Sequence, residues 1–269
     1  MGLEGREEAQ VARDLAVAAG SLLLENLGRL SHVERKSATE LVTDLDRQVE
    51  ERILAGLATA FPGDAIHAEE SGDAAGDSGR TWYVDPLDGT TNYVHGHPFF
   101  SVSVAVADAG GLLAAVVHAP YLDQLFAAVR GEGAVAERPR NAEVRPLPAR
   151  RPVRLEDALL ATGFPYRRDA TVDRNVEYMR RFLRAGCHGV RRGGSAALDL
   201  AHTAAGVLDG FWEMRLRPWD VAAGTLLARE TGCRVTDLSG RESMLQWDEI
   251  LAAPPALHER MCAVLNAAP

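Results

Sequence analysis

Apolar residues recur at helical spacing between residues 7 and 27, at Val11, Leu15, Ala18, Leu22 and Leu23, before Gly28 ends the run. A second stripe, Val49, Ile53, Leu54 and Leu57, predicts a helix over 46–61. The polar stretch 31–41 between them reads as a loop. After Phe61 the pattern becomes that of strands, expected at 65–68, 81–84, 100–107, 112–117 and 125–129. Ser101-Val102-Ser103-Val104-Ala105-Val106 alternates, as a strand with unlike faces in an antiparallel sheet does. Residues 137–154 are rich in Arg and Pro and poor in apolar positions, which sets the boundary between two lobes, 1–140 and 141–269. Strand and helix patterns then alternate as far as Glu230: 159–162, 171–183, 187–191, a helix from Ser195, 208–212 and 219–230. That alternation points to an α/β layer in the second lobe.

Composition narrows the function more than the fold. The net charge of −9 argues against a general nucleic-acid binder or a protein of anionic membrane surfaces. It leaves room for an anionic substrate, because bound cations reverse a local field. No apolar run is long enough for a membrane span and the first thirty residues lack a signal-peptide layout, so a cytoplasmic protein is expected. Cys187, Cys233 and Cys262 are isolated, which suggests neither a disulfide framework nor a zinc site. Of 29 basic residues only Lys36 is lysine, which singles it out as a candidate.

The chemistry concentrates in Asp85-Pro86-Leu87-Asp88-Gly89-Thr90-Thr91-Asn92. Pro86 cannot donate to a ladder, so the preceding strand should stop at Asp85. Asp88-Gly89 forces a turn, after which Thr90 or Thr91 can cap a helix. Asp85, Asp88 and the Leu87 carbonyl would converge at the strand end, offering hard oxygen ligands to a cation such as Mg²⁺, while the N–H groups of the turn suit a phosphate oxygen. Elsewhere, adjacent Glu69 and Glu70 end a short strand, where a cation would offset their repulsion. Asp44 and Asp46 open the second helix and suit its positive end. Gly193-Gly194-Ser195-Ala196 opens another helix whose backbone a ligand can approach closely. Ser195 lacks the Gly-x-Ser-x-Gly elbow of a nucleophile, and two alternating histidines, His95 and His97, cannot make a metal site by themselves. Pro218 presets a helix entry that leaves Asp220 in the first turn.

The Asp85–Asn92 string resembles the signature of the inositol monophosphatase family, and Glu69-Glu70-Ser71 and Arg217-Pro218-Trp219-Asp220 match further family strings in family order. Ala68 stands where the family commonly has Gly. The resemblance implies an α+β fold, the layered αβαβα sandwich shared with fructose-1,6-bisphosphatase, most metal ligands lying in the first lobe. It implies hydrolysis of a phosphate monoester by water, with two or three Mg²⁺ held by Glu69, Asp85, the Leu87 carbonyl, Asp88 and Asp220. By the same match Glu70 supports the site, Asp46 and Thr90 orient the attacking water beside catalytic Glu69, and Lys36 lies near the metals. Asp88, Gly89, Thr90, Gly194, Ser195, Ala196, Glu213 and Asp220 would contact substrate, Glu213 accepting from its hydroxyls. Asn92-Tyr93 and Glu213 lean toward a small polyol phosphate such as inositol 1-phosphate. Relatives also cleave histidinol phosphate, fructose 1,6-bisphosphate or nucleotide 3′-phosphates, most are dimers, lithium inhibits the family, and some act as RNA- or transcription-associated partners.

Overall fold

A computed structural model describes residues 6–29, 33–35, 41–165, 169–242 and 248–267. Helix α1 (Glu7–Asn26) leads, and β1 (Val33–Arg35) then pairs antiparallel with β2 (Leu41–Thr43) within the stretch expected to be a loop. Lys36 lies outside the described residues. Thr43 caps α2 (Asp44–Ala60), which therefore begins two residues earlier than the apolar stripe indicates, since a cap is read from hydrogen bonding and not from hydrophobicity. The α2 stripe holds, with Val49, Ile53 and Leu57 buried. That of α1 holds in part: Leu23 is buried and Val11, Leu15 and Leu22 pack half-buried against the core, but Ala9, Ala12, Ala16 and Ala19 are the more deeply buried and Ala18 is exposed. Small residues face inward because the helix approaches the sheet closely. A Cβ on Gly20 would lie 2.5 Å from the His118 ring.

One antiparallel-rich sheet then builds up from β3 (Ala65–Ala68), β4 (Gly72–Ala74), β5 (Thr81–Asp88), the short helix α3 (Thr90–Val94), β6 (Ser101–Asp108), β7 (Gly111–Ala119), β8 (Gln124–Val129), β9 (Gly133–Arg138) and β10 (Glu143–Pro146). Its order is β10-β9-β8-β7-β6-β5-β3-β4, with only β3 and β5 parallel. The stretch 137–154 is not simply a linker, because β10 pairs with β9 along its first part. Nor does β5 stop at Asp85. Its pairing with β6 jumps from Asp85↔Ser103 to Asp88↔Ser101, and Pro86 sits in this irregularity, where its missing N–H costs no ladder bond.

The second sheet takes β11 (Leu159–Thr162), helix α4 (Ala170–Arg184), β12 (Gly189–Arg191), α5 (Ala196–Ala205), β13 (Gly210–Met214), α6 (Pro218–Glu230), β14 (Arg234–Thr236), β15 (Glu249–Ala253) and α7 (Pro255–Leu265). Its order is β12-β11-β13-β15-β14, parallel around β11 and antiparallel around β15. The layers run α1 and α2, the eight-stranded sheet, α5 and α6, the five-stranded sheet, then α4 and α7. This is the expected αβαβα sandwich. β6 is buried on both faces: Val102, Val104 and Val106 meet the α1–α2 layer, while Ala105 and Ala107 meet the α5–α6 layer. Among the described residues no helix is long and apolar enough to cross a membrane, and all three cysteines are free.

Candidate metal centre and active site

The end of β5 gathers the site. Asp85 is buried, and its Oδ1 accepts from the Leu87 N–H at 2.9 Å, which pins the carboxyl where pairing is interrupted. Gly89 follows at φ +95°, and a Cβ there would lie 3.1 Å from the carbonyl oxygens of both Gly194 and Phe99. Glycine is therefore required, for its left-handed backbone and for its size. Gly89 takes the N-cap position of α3, so neither Thr90 nor Thr91 caps that helix. The Thr90 hydroxyl instead lies 3.0 Å from the Leu87 carbonyl oxygen and 3.2 Å from Asp46 Oδ1.

Asp46 is held for this contact by its own helix. Its Oδ2 accepts from the Thr43 N–H at 2.9 Å and from the Thr43 hydroxyl, and the Asp46 N–H returns a bond to Thr43 Oγ1 at 3.3 Å. Burial pushes its pKa up, against the pull of those hydrogen bonds. Asp44 takes a different place, half exposed and paired with Arg47.

Glu69 and Glu70 follow β3, and Glu50 of α2 fixes their loop by accepting from the Glu70 N–H at 2.8 Å and the Ser71 N–H at 2.7 Å. Sequence reasoning missed Glu50. Its signal was a carboxylate four residues after Asp46, amid the apolar stripe of α2 and thus facing inward.

At the start of α5, the Ser195 hydroxyl (2.6 Å) and the Ala197 N–H (2.8 Å) donate to Asp88 Oδ2, and the Ala196 N–H also faces Asp88. Ser195 is thereby the N-cap of α5 and a clasp on Asp88. Asp220, third residue of α6 behind Pro218, accepts from the Arg217 N–H at 2.7 Å. Burial above all, then the charge of Glu69 and of neighbouring aspartates, raises Asp85 and Asp220 well above the usual carboxylate range. Burial lifts Asp88 to about 6. Glu69, Asp85, Asp88 and Asp220 thus feel one another's charge where the ends of β3 and β5 meet the start of α6. The Asp85 carboxyl also shares a hydrogen bond with Glu69. The donors are all hard oxygens, which fits Mg²⁺. His95 and His97 lie exposed in the turn after α3, and the Phe99 N–H donates to His97 Nδ1 at 3.4 Å.

Glu213, next to last in β13, lies against Gly163, where a Cβ would be 2.0 Å from its Oε1. Burial first, then the charges of Asp199 and Asp88, push its pKa up to about 8, with Arg192 pulling the other way. Asp199, buried on α5, and Arg192 were not anticipated; a lone Asp in an alanine-rich helix was their only trace. Asn92 and Tyr93 prove structural. The Asn92 amide nitrogen donates to the carbonyls of Phe99 (2.6 Å) and Gly193 (2.9 Å), and the Tyr93 hydroxyl donates to Leu23 O at 2.7 Å. Asn92 clasps the lobes together and Tyr93 anchors α3 to α1, which removes their weight in substrate choice.

Comparison with known proteins agrees with this geometry. The chain is 42% identical over 250 residues to the Nus factor SuhB of Pseudomonas aeruginosa, covering 90% of this chain and 89% of that protein. The extragenic suppressor protein suhB of Bartonella henselae superposes with a TM-score of 0.89 at 38% identity, covering 97% of this chain and 98% of the other. The inositol monophosphatase of Anabaena superposes with a TM-score of 0.85 at 36% identity, covering 97% and 96%. The family described as the inositol monophosphatase family matches residues 5–269. This chain belongs to the inositol monophosphatase family, a membership that supports a metal-dependent phosphatase.

Proposed function

We propose that the protein hydrolyses a small polyol phosphate monoester, inositol 1-phosphate foremost, to the free polyol and inorganic phosphate. The observation behind this reading is the meeting of four carboxylates, Glu69 and Asp85 and Asp88 from the ends of β3 and β5 and Asp220 from α6, beside the Asp46–Thr90 pair. Glu69, Asp85, the Leu87 carbonyl, Asp88 and Asp220 would hold two or three Mg²⁺. When bound, the cations supply charge neutralisation and an activated water. The residues do the rest. Thr90, donating to buried Asp46, keeps a lone pair free to accept one proton of the water and aim its oxygen at phosphorus. The Gly89 and Thr90 amides hold the phosphate, assisted by Gly194, Ser195 and Ala196 at the start of α5. The water oxygen bonds to phosphorus as the bond to the polyol oxygen breaks, and that oxygen leaves with a proton. Glu213 faces the leaving group and accepts from its hydroxyls. The two lobes act as one catalytic unit, in a cytoplasmic homodimer inhibited by lithium.

A phosphate-release panel over inositol 1-phosphate, histidinol phosphate, fructose 1,6-bisphosphate and nucleotide 3′-phosphates tests the substrate. Preference for any of the last three replaces the polyol reading. Chelation should abolish turnover and Mg²⁺ restore it; restoration by Zn²⁺ alone overturns the metal assignment.

A second reading has its own support. The relative from Pseudomonas aeruginosa bears the name of a Nus factor. In this chain Arg138, Arg140, Arg145, Arg151 and Arg154 are exposed along one segment of an otherwise acidic protein. An RNA gel shift at physiological salt, lost when these arginines become glutamine, would favour a transcription-associated role.

A further inference from the structure

A second cationic feature lies at the other end of the helix that carries Asp220. There a cavity of about 420 Å³ opens between the end of α6 and β14, with Arg229, Arg234, Glu242, Cys233, Val235 and Pro255 among its walls. Arg229 is half-buried, and burial lowers its pKa despite the charge of Glu242. Among the described residues its guanidinium has neither a hydrogen bond nor an ion pair within reach. Arg234 is weakly engaged: Nη2 lies 3.4 Å from the Gly240 carbonyl, and Nε lies 3.9 Å from Glu242 Oε1, itself on an exposed side chain. Behind Cys233 lies Arg150, whose buried Nε also lacks a partner. Burial pushes the Cys233 thiol up to about 11, so it offers a neutral wall.

A guanidinium presents five donors, and those of Arg229, on the cavity wall, are open to a ligand. Arg229 gains something from the negative end of α6, but that attraction needs no cavity and satisfies no donor. Two arginines against one glutamate leave the walls net positive, while Val235, Pro255 and Cys233 are apolar. We propose that this cavity binds a small organic anion, its carboxylate or phosphate head on Arg229 and Arg234 and its apolar body against Val235, Cys233 and Pro255. Arg229 stands nine positions after Asp220 on the same helix, a rise of about 13 Å, so the site is distinct from the acidic centre.

Calorimetry of the full-length protein with benzoate and with inorganic phosphate, each with Mg²⁺ and with chelator, tests this. Benzoate probes the carboxylate head and phosphate the alternative. At least one should bind saturably at one site per chain, with chelator present, and Arg229→Gln should weaken it at least tenfold while phosphate release stays unchanged. Arg234→Gln should weaken it too, and Arg229→Lys, which keeps the charge but not the fork, should fall between. Three results would each overturn the proposal: no saturable binding by about 10 mM, equal affinity in both glutamine variants and the parent, or binding only with Mg²⁺, which would assign it to the acidic centre.

Discussion

At the scale of single residues, the centre divides into groups that face the reaction and groups that hold them still. Asp88 and Asp220 belong to the first kind. Each commits Oδ2 to protein donors, Asp88 to Ser195 and Ala197 and Asp220 to Arg217. Asp88→Asn and Asp220→Asn should each reduce turnover at least on the order of a hundredfold, since several kcal/mol of charge stabilisation depend on the cations. Near-parental rates in either variant would remove that residue from the metal set. Asp46 and Asp44 offer a sharper comparison. Asp46→Asn should depress kcat while metal affinity stays within about tenfold, and Asp44→Asn, which alters only an exposed pair with Arg47, should match the parent. Equal losses in the two would unseat Asp46. The reacting set was legible from sequence because short motifs encode it. The holding set was not: Glu50, Asn92 and Asp199 act through contacts across the fold, on backbone carbonyls, N–H groups or buried charges that no local spacing announces.

At the scale of elements, the strand ends decide where chemistry can occur. Hydrophobic pattern located β5 but not its interruption at Pro86, because the pattern records burial and the interruption records pairing. It likewise located β11 and most of β13 but not their register. Parallel pairing of Thr162 with Trp212 brings Gly163 beside Glu213, and the absent side chain of Gly163 makes room for that carboxylate. Two variants therefore test one role. Measured above pH 8, where the Glu213 carboxyl is ionised, Glu213→Gln should raise KM for inositol 1-phosphate more than tenfold relative to a simple aryl phosphate, as loss of a hydrogen bond to a charged acceptor amounts to roughly 1.5–3 kcal/mol. Gly163→Ala leaves the carboxylate in the chain but displaces it, and should reproduce the same selective rise in KM. Equal effects on both substrates would show that Glu213 does not read the polyol.

At the scale of the whole molecule, the stacking order of the layers was not legible, since it rests on contacts between distant segments and on β14, β15 and α7, beyond the last readable alternation. The resemblance implied it; periodicity did not. What joins the layers has a consequence for pH. Three buried histidines sit at three junctions: His118 Nδ1 lies 2.9 Å from Ala16 O between α1 and β7, His202 Nε2 lies 2.9 Å from Gln124 Oε1 between α5 and β8, and His258 Nε2 lies 2.8 Å from Thr236 Oγ1 between α7 and β14. Burial lowers the pKa of all three, to about 4 for His202 and His258. The unfolded chain, with histidines near 6.5, binds protons that the folded state refuses, so their contribution is complete above pH 6.5 and is lost as pH falls toward 4. For His202 alone the full change is on the order of 3 kcal/mol. Raised carboxylates in the acidic centre act in the opposite sense without cations, since acid relieves their repulsion. Denaturant melts should therefore be run with saturating Mg²⁺, and the parent compared with His202→Gln. The parent should lose stability between pH 6.5 and 4 more steeply than the variant, which lacks one of the three titrating groups. Parallel curves would mean that His202 does not stay neutral when the layers close around it.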